Sequence, residues 1–316
     1  MNMLDTLKGS YFSQILPEGW DIAKILECVS NDPETACDRQ DFWHEGFTPV
    51  KCTNLEEFGA YMGFEIAMQI KQTKEEGRKL ILILPVGPMG MYKWAVYFLK
   101  QLNIDCKHVY GFNMDEWADA DGNTLPGSDP AAFQNAMTEA FYGPLGELTV
   151  PEDQRNFATK ENLPTYMEKI TALKAEGAKQ VMVYGIGRMC HIAFWEPHFA
   201  TEYATEEEWL EASHRIGANL HPFTIEQNAI TSFRSSWPLI PCFANTIGPK
   251  IIFGSDYCIG GADGVLSRGM QWQGMSFWMT LRHGPTKYIT SSRIPTMPGK
   301  LFFMEELAGP LCPDTN

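Results

Sequence analysis

The sequence predicts an α/β protein with a mostly parallel sheet, and three stretches support this prediction. Residues 79–85 form a continuous aliphatic run of the kind found in strands that are covered on both faces. A helix predicted at 91–102 and a strand predicted at 108–112 follow it, which is the spacing of a right-handed β-α-β unit. A further β-forming run, residues 181–184, ends in glycines and then polar side chains. In such a fold, chemistry is expected at the carboxyl edge of the sheet.

The composition is that of a globular protein. The 316 residues are 44% hydrophobic and 20% charged, so one α/β domain with a substantial core is expected. The formal net charge of −14 argues against a nucleic-acid surface, because such surfaces need clustered lysine and arginine. The same charge means that an anionic substrate would need a local positive site.

The cysteines and the apolar segments indicate the cellular compartment. The 8 cysteines are scattered without a CxxC motif, which favours free thiols in a reducing cytosol over disulfides. The N-terminus has no cationic segment followed by an apolar run, and no stretch of about 18 apolar residues occurs. We therefore expect a cytoplasmic protein with no membrane partner.

Residues 1–55 are mixed in character and are predicted to be an N-terminal extension on the outside of one domain that spans 56–316. The first clear helix follows Asn54, which can cap it together with Glu57, and Gly77 ends it. The other predicted elements are helices at 130–141 and 163–176, a helix start at 205–209, and strands at 250–253, 287–290 and 301–304.

Two adjacent carboxylates, Asp115 and Glu116, follow the strand predicted at 108–112. A carboxylate at the end of a strand, with apolar residues close by, is a candidate general base whose pKa burial would raise. The alternative is that one of the pair caps the next helix or pairs with a lysine. Residue types alone favour this structural alternative.

His191 and Glu196 follow the strand predicted at 181–184. A histidine beside a carboxylate can transfer protons near neutral pH, because the acid fixes its tautomer and raises its pKa. The alternative is a strand-end histidine whose partners are backbone carbonyl groups. A zinc site of His191, Cys190 and His198 has suitable ligand types, but neither an HExxH motif nor a paired-cysteine spacing supports it.

Two glycine-rich turns, residues 86–90 and 260–264, are candidates for anion binding. The first lies between a strand and a helix, where backbone N–H groups can meet an anion. It lacks the GxGxxG spacing and the Lys-Ser/Thr pair of a P-loop, and Pro88 removes one donor. The alternative for both is a tight turn without a ligand.

Two motifs, FNMDE at 112–116 and GIGRMCHIAFWEP at 185–197, together resemble motifs of the glucosamine-6-phosphate deaminase/isomerase family. Arg215-Ile216 followed by His221 is similar to the start of the family's active-site lid. The resemblance extends over residues 80–230, with a looser tail beyond.

The resemblance implies a doubly wound, Rossmann-like α/β sheet with an active-site lid at about 203–232. It implies an aldose–ketose isomerisation coupled to the loss of ammonia from an amino sugar, without a metal or an organic cofactor. The partner would be a small sugar or sugar phosphate, and the family implies a homo-oligomer.

By the same resemblance, Asp115 is the base that moves the C2 proton, His191 opens the sugar ring, and Glu196 tunes the histidine. These roles coincide with those that the residues suggest by themselves. Substrate-binding roles are expected for Gly87, Met89, Gly90, Glu116, Gly187, Arg188, Arg215 and His221.

The chain departs from the family beside the histidine and where a phosphate would bind. Met189-Cys190 replaces an Asp-Gly pair, and the turn at 87–90 lacks a hydroxyl group. Aligning the lid through its Thr and Asn residues puts Ile230 at the position of a phosphate-binding arginine, and Arg268 or Lys250 would have to replace a lysine. These losses are expected to weaken phosphate binding by several kcal/mol. We therefore expect a retained proton-transfer half and a rebuilt phosphate half.

Two other classes of function stay open. A lactonase of the phosphogluconolactone type uses the same fold and a comparable histidine motif, but it would release no ammonia and exchange no C2 proton. A sugar-binding homologue without catalysis is the second, because Met189 replaces a carboxylate of the motif.

Overall fold

The computed structural model describes residues 3–266, 270–309 and 311. Short 3-10 turns connect the main elements, and a π-helical turn at Thr138–Tyr142 continues the fourth helix. The strands are β1 (Phe47–Cys52), β2 (Leu80–Leu84), β3 (Val109–Asn113), β4 (Asp115–Ala118), β5 (Arg155–Asn156), β6 (Lys179–Gly185), β7 (His214–Asn219), β8 (Phe243–Ile247), β9 (Tyr257–Ala262) and β10 (Gly299–Met304). The helices are α1 (Ile22–Val29), α2 (Leu55–Glu75), α3 (Gly90–Gln101), α4 (Phe133–Met137), α5 (Tyr166–Ala175), α6 (Glu206–Leu210), α7 (Pro222–Ser232), α8 (Pro249–Ile252) and α9 (Gly274–Arg282).

The central sheet has seven strands in the order β1-β10-β9-β6-β2-β3-β5, and each neighbouring pair is parallel. From β2 the chain moves outward through β3 to β5, and it then returns to the other side of β2 as β6. The strand order therefore reverses between β2 and β6, and ligands of open α/β sheets bind at such a point. A second sheet of three antiparallel strands, β4-β8-β7, lies beyond the end of β3.

Strand β2 is covered on both faces, and this is why its sequence is a continuous aliphatic run. Each residue of Leu80–Leu84 is fully buried. The helix that precedes it, α2, is capped as predicted: the Asn54 Oδ1 atom accepts the Glu57 N–H at 2.8 Å. The Glu57 carboxylate accepts the N–H of Thr53, one residue before Asn54, at 2.7 Å.

The predicted α/β class with a mostly parallel sheet is confirmed, as are the strands predicted at 79–85, 108–112, 181–184 and 301–304. The strand predicted at 250–253 is wrong, because Pro249 starts the short helix α8 there. The strand predicted at 287–290 is also wrong. Its backbone forms only an isolated bridge between Thr286 and Ile289, and a 3-10 turn follows.

The predicted N-terminal extension includes β1, which is an edge strand of the central sheet beside β10. The boundary predicted at residue 55 therefore falls after a strand of the main sheet. The part before β1 packs against the C-terminal elements. The Trp20 indole N–H donates to the Tyr288 carbonyl at 2.9 Å, and the Trp43 indole N–H donates to the Leu281 carbonyl at 3.1 Å.

The segment predicted to be a lid, 203–232, folds as α6, β7 and α7. Strand β7 joins the second sheet through β8, so the segment has a sheet to support it. Within the described ranges, no helix combines the length and the apolar character needed to cross a bilayer.

Candidate functional site

A cavity of about 520 Å³ lies at the carboxyl ends of β2, β3, β6 and β9. Its wall includes residues 85–90 after β2, Met114 and Asp115 after β3, residues 185–187 at the end of β6, and Asp263 after β9. Helix α7 closes one side with residues 227, 228 and 230–232. The cavity is therefore at the place where the strand order reverses, as expected for a ligand site in this class of sheet.

Asp115 lies at the start of β4, and its side chain forms part of the cavity wall. The residue is 7% exposed. Burial, with a smaller contribution from the negative charge of Glu116, raises the pKa of Asp115 well above its ordinary value. A carboxylate in this environment binds a proton more strongly than one in water, which suits a general base.

Glu116 points away from the cavity and caps helix α4. Its carboxylate accepts the N–H groups of Phe133 and Gln134 at 2.8 Å each and that of Trp117 at 3.0 Å. Burial raises the pKa of Glu116, and these three hydrogen bonds act against that rise. The structure thus assigns to Glu116 the capping role that residue types favour, and it does not bring this predicted substrate-binding residue to the cavity wall.

His191 lies on the wall of the same cavity. Its Nδ1 atom is 3.2 Å from the Thr224 hydroxyl and 3.4 Å from the Glu196 Oε2 atom. The other side of the ring lies directly over Gly187, where a Cβ atom would stand 1.9 Å from the His191 Nε2 atom. The Nδ1 atom is held by buried partners, so Nε2 is the nitrogen available to a ligand.

Glu196 is buried behind the histidine, away from the cavity wall. Its Oε1 atom accepts the backbone N–H of His221 at 3.2 Å. Burial on its own would raise the pKa of Glu196, but a positive charge on His191 and hydrogen bonds from His191 and Thr224 hold it below its ordinary value. Glu196 is therefore placed to keep the His191 ring in one orientation.

The second sheet connects the two halves of the site. Asp115 pairs with Thr246 across β4 and β8, and the Thr246 hydroxyl accepts the N–H of Phe194 at 3.0 Å. The rings of Trp117 and Phe194 lie 4.8 Å apart, and those of Trp117 and Phe133 lie 5.0 Å apart. Packing of this kind holds Asp115 and the segment that follows His191 in fixed relative positions.

Of the predicted substrate-binding residues, Gly87, Met89, Gly90 and Gly187 line the cavity. Arg188, Arg215 and His221 do not. The Arg188 guanidinium lies 5.5 Å from the ring of Phe223. The Arg215 guanidinium pairs with Glu202 and stacks 4.0 Å over Phe199.

His221 caps helix α7 instead of facing the cavity. Its Nδ1 atom accepts the N–H of Phe223 at 3.1 Å, and its Nε2 atom donates to the carbonyl of Ile15 at 2.7 Å. The backbone of this residue still matters to the site, because its N–H binds Glu196.

Comparison with known proteins supports the relationship that the motifs indicate. No family model matches the chain. It is 28% identical to a glucosamine-6-phosphate deaminase of Caenorhabditis elegans over 201 residues, which cover 63% of this chain and 69% of that one. It is 29% identical to the glucosamine-6-phosphate deaminase of Yersinia pestis (strain Pestoides F) over 208 residues, which cover 63% and 70%. This chain is a divergent relative of the glucosamine-6-phosphate deaminases.

Two solved structures illustrate the shared fold. A monomeric glucosamine-6-phosphate deaminase of the NagB superfamily aligns with a TM-score of 0.65 at 19% identity, over 82% of this chain and 98% of that one. The 6-phosphogluconolactonase from Trypanosoma cruzi aligns with a TM-score of 0.59 at 17% identity, over 85% and 99%. These structures confirm the predicted fold. The sequence similarity to the curated deaminases confirms the predicted relationship to them.

The departure from the deaminase motif at Met189-Cys190 is structural as well as chemical. Met189 is buried. Cys190 has φ +58°, a conformation that glycine, its counterpart in the motif, adopts without strain. Its Sγ atom lies 3.7 Å from the sulfur of Met279, and burial raises the pKa of the thiol. Within the described residues, no group of three or more His, Cys, Asp or Glu side chains is arranged to hold a metal ion.

Among the described residues, the cavity wall includes no lysine or arginine. Ile230, which the sequence alignment predicts to replace a phosphate-binding arginine, lines the cavity with an aliphatic side chain. Lys250 is on the exterior and pairs with Glu211, and Arg268 lies outside the described residues. Asp263 also lines the cavity, where the sequence predicts only a glycine-rich turn at 260–264. Burial raises the pKa of its carboxyl group to about 6.

Proposed function

We propose that the protein catalyses proton transfer at C2 of a sugar or amino sugar, as an aldose–ketose isomerase or deaminase related to glucosamine-6-phosphate deaminase. The observation that carries this proposal is that one cavity is lined by a buried carboxylate of raised pKa, Asp115, and by a histidine, His191, backed by a buried glutamate. Pairs of titratable groups in contrasting environments are typical of acid–base catalysis.

In this proposal, His191 opens the sugar ring. Its Nε2 atom delivers a proton to the ring oxygen as the C1–O bond breaks, and the hydroxyl group on C1 gives its proton to water. The product is an open-chain aldehyde. Glu196 and the Thr224 hydroxyl lie next to Nδ1 on the far side of the ring, so they keep Nε2 directed at the substrate.

Asp115 then moves the proton of the open-chain sugar. Its carboxylate takes the proton from C2 while the C1 oxygen gains a proton from water, and an enediol or enolamine forms. The Asp115 carboxyl group, whose proton exchanges with solvent, then protonates C1 as the hydroxyl or amino group on C2 loses a proton to water. A sugar with a hydroxyl group on C2 becomes a ketose at this point. A sugar with an amino group on C2 becomes an imine, to which water adds before ammonia leaves. The raised pKa of Asp115 favours this role, since a base that moves a carbon-bound proton must also hold it.

The proposal is tested with glucosamine, glucosamine 6-phosphate and the corresponding neutral sugars in deuterated water. We expect wild-type protein to exchange the C2 proton of at least one of them and to release ammonia from an amino sugar. The Asp115→Asn variant, which keeps the size of the side chain, should lose both activities by about 10²-fold or more. Exchange that survives in this variant would exclude Asp115 as the base.

The same assay separates the other classes of function. Hydrolysis of a sugar lactone without C2 exchange would replace the proposal by a lactonase. Binding of a sugar without any exchange or hydrolysis would replace it by a sugar-binding role.

A further inference from the structure

Asp263 is a carboxylate in the cavity wall that the proposed chemistry does not use. It follows β9, whereas Asp115 follows β3, and the strand order β9-β6-β2-β3 puts three strand intervals between them. At about 4.8 Å for each interval, the two strand ends are about 14 Å apart. His191 follows β6, between these two ends. Asp263 therefore lies at the opposite end of the cavity from the proposed base.

The loop that carries Asp263 is held by hydrogen bonds. The N–H of Gly264 donates to the Gln273 Oε1 atom at 2.8 Å, and the Gln273 Nε2 atom donates to the carbonyl of Ile186 at 2.5 Å. Trp272 also lines the cavity and lies against Gly264, where a Cβ atom would stand 2.9 Å from its Cε2 atom. The backbone next to Asp263 is thus held in place, and an aromatic ring packs against the same loop.

The Asp263 carboxylate has hydrogen-bonding capacity that the described residues do not use. Apart from its own backbone N–H, no donor within the described ranges binds it, and no lysine or arginine in those ranges pairs with it. The described residues that line the cavity include no lysine or arginine either. A carboxylate accepts hydrogen bonds and repels anions, so this end of the cavity suits hydroxyl groups better than a phosphate.

We propose that Asp263 is a specificity-determining residue that accepts hydrogen bonds from the hydroxyl groups of an unphosphorylated sugar and disfavours its phosphorylated form. This inference rests on the proposed function, because it concerns the end of the substrate remote from the reacting carbon. The aliphatic side chain of Ile230 in the same wall adds no charge that could offset that of a phosphate. Trp272 supplies the apolar surface that commonly accompanies polar groups in such pockets.

The test measures the affinity of matched pairs of ligands by calorimetry. The pairs are glucosamine with glucosamine 6-phosphate, and glucose with glucose 6-phosphate. We expect wild-type protein to bind the unphosphorylated member of at least one pair about tenfold more tightly or better. Asp263→Asn should weaken binding of that sugar by about ten- to a hundredfold, the usual effect of losing hydrogen bonds to a charged group. Asp263→Lys should reverse the preference towards the phosphorylated member.

A matched control is Glu226→Gln, which removes one negative charge from the exposed face of α7, outside the cavity wall. It should leave both affinities within about twofold of wild type. Melting temperatures report whether the variants fold. If Asp263→Lys does not fold, Asp263→Asn still tests the role of the carboxylate, because it keeps the size of the side chain.

Binding and catalysis are measured separately, so the two proposals can fail independently. Tighter binding of the phosphorylated member in each pair, or a ratio that Asp263→Asn leaves unchanged, overturns the role of Asp263 even if C2 exchange occurs. The expected binding preference without any C2 exchange would uphold that role and overturn the proposed function.

Discussion

The ring of His191 packs so close to Gly187 that residue 187 has no space for a side chain. The ring of His191 lies where the side chain of residue 187 would begin. The backbone reinforces this arrangement, because the N–H of Gly187 donates to the carbonyl of His191 at 3.0 Å. The glycine of the motif thus allows the histidine to fold back over its own strand end.

We therefore predict that Gly187→Ala displaces the His191 ring. A Cβ atom would stand 1.9 Å from Nε2, so the ring must move. A displacement of about 1 Å in a catalytic group can lower the rate about 10²-fold. Steady-state kinetics on the preferred sugar should show a fall in kcat comparable to that of His191→Ala, with the sugar still bound. A kcat close to the wild-type value would mean that the ring position is not needed.

At the scale of elements, strand β4 directs the neighbouring carboxylates Asp115 and Glu116 to opposite sides, where they have different roles. Successive side chains of a strand point to opposite faces, so Asp115 faces the cavity while Glu116 faces helix α4. Helix α4 has only five residues and no side-chain cap from its own N-cap position. Its first N–H groups depend on Glu116.

Glu116→Ala should therefore destabilise the protein without removing a catalytic group. It leaves buried N–H groups without an acceptor, and we expect the free energy of unfolding to fall by about 2–4 kcal/mol. Glu116→Gln keeps one carbonyl acceptor and should cost less. Denaturant unfolding measures both, with Glu168→Ala on the exposed face of α5 as a control that should change stability by less than about 0.5 kcal/mol.

The sequence correctly predicts those elements whose signal lies in residues close together in the chain. The strands of the β-α-β unit are continuous apolar runs, and the cap of α2 is a short-range motif. The sequence does not predict strand β8, because its residues, FANTI, mix polar and apolar side chains. Its Thr246 hydroxyl and Asn245 side chain bind backbone groups of distant segments, including Phe194 and Gly122.

At the scale of the whole molecule, two buried carboxylates make stability depend on pH in opposite directions. The pKa of Asp115 is raised in the folded state. The stability linked to its bound proton is therefore present below its unfolded pKa of about 3.9 and is lost as pH rises through the folded value. The pKa of Glu196 is lowered, so its stabilisation is present above its unfolded pKa of about 4.3 and is lost as pH falls through the folded value.

Asp115→Asn should consequently raise the free energy of unfolding at pH 7 by about 1–2 kcal/mol, and the gain should shrink towards pH 4. Glu196→Gln should lower it at pH 7 by about 3 kcal/mol, because it removes one partner of a buried pair. Urea unfolding across pH 4–8 measures both. Equal shifts of the same sign for the two variants would contradict the opposite environments of these carboxylates.

Residue pattern alone predicts the parallel strands, the cap of α2 and the two motifs that carry Asp115, His191 and Glu196. These features depend on periodicity and on residues close together in the chain. Which of Asp115 and Glu116 faces the cavity depends on contacts between distant segments, because the pairing of β4 with β8 sets the direction of the side chains of β4. The tertiary structure also places Asp263 in the cavity wall, and it places Arg188, Arg215 and His221 outside that wall. Their positions depend on contacts between segments far apart in the chain, which local pattern does not encode.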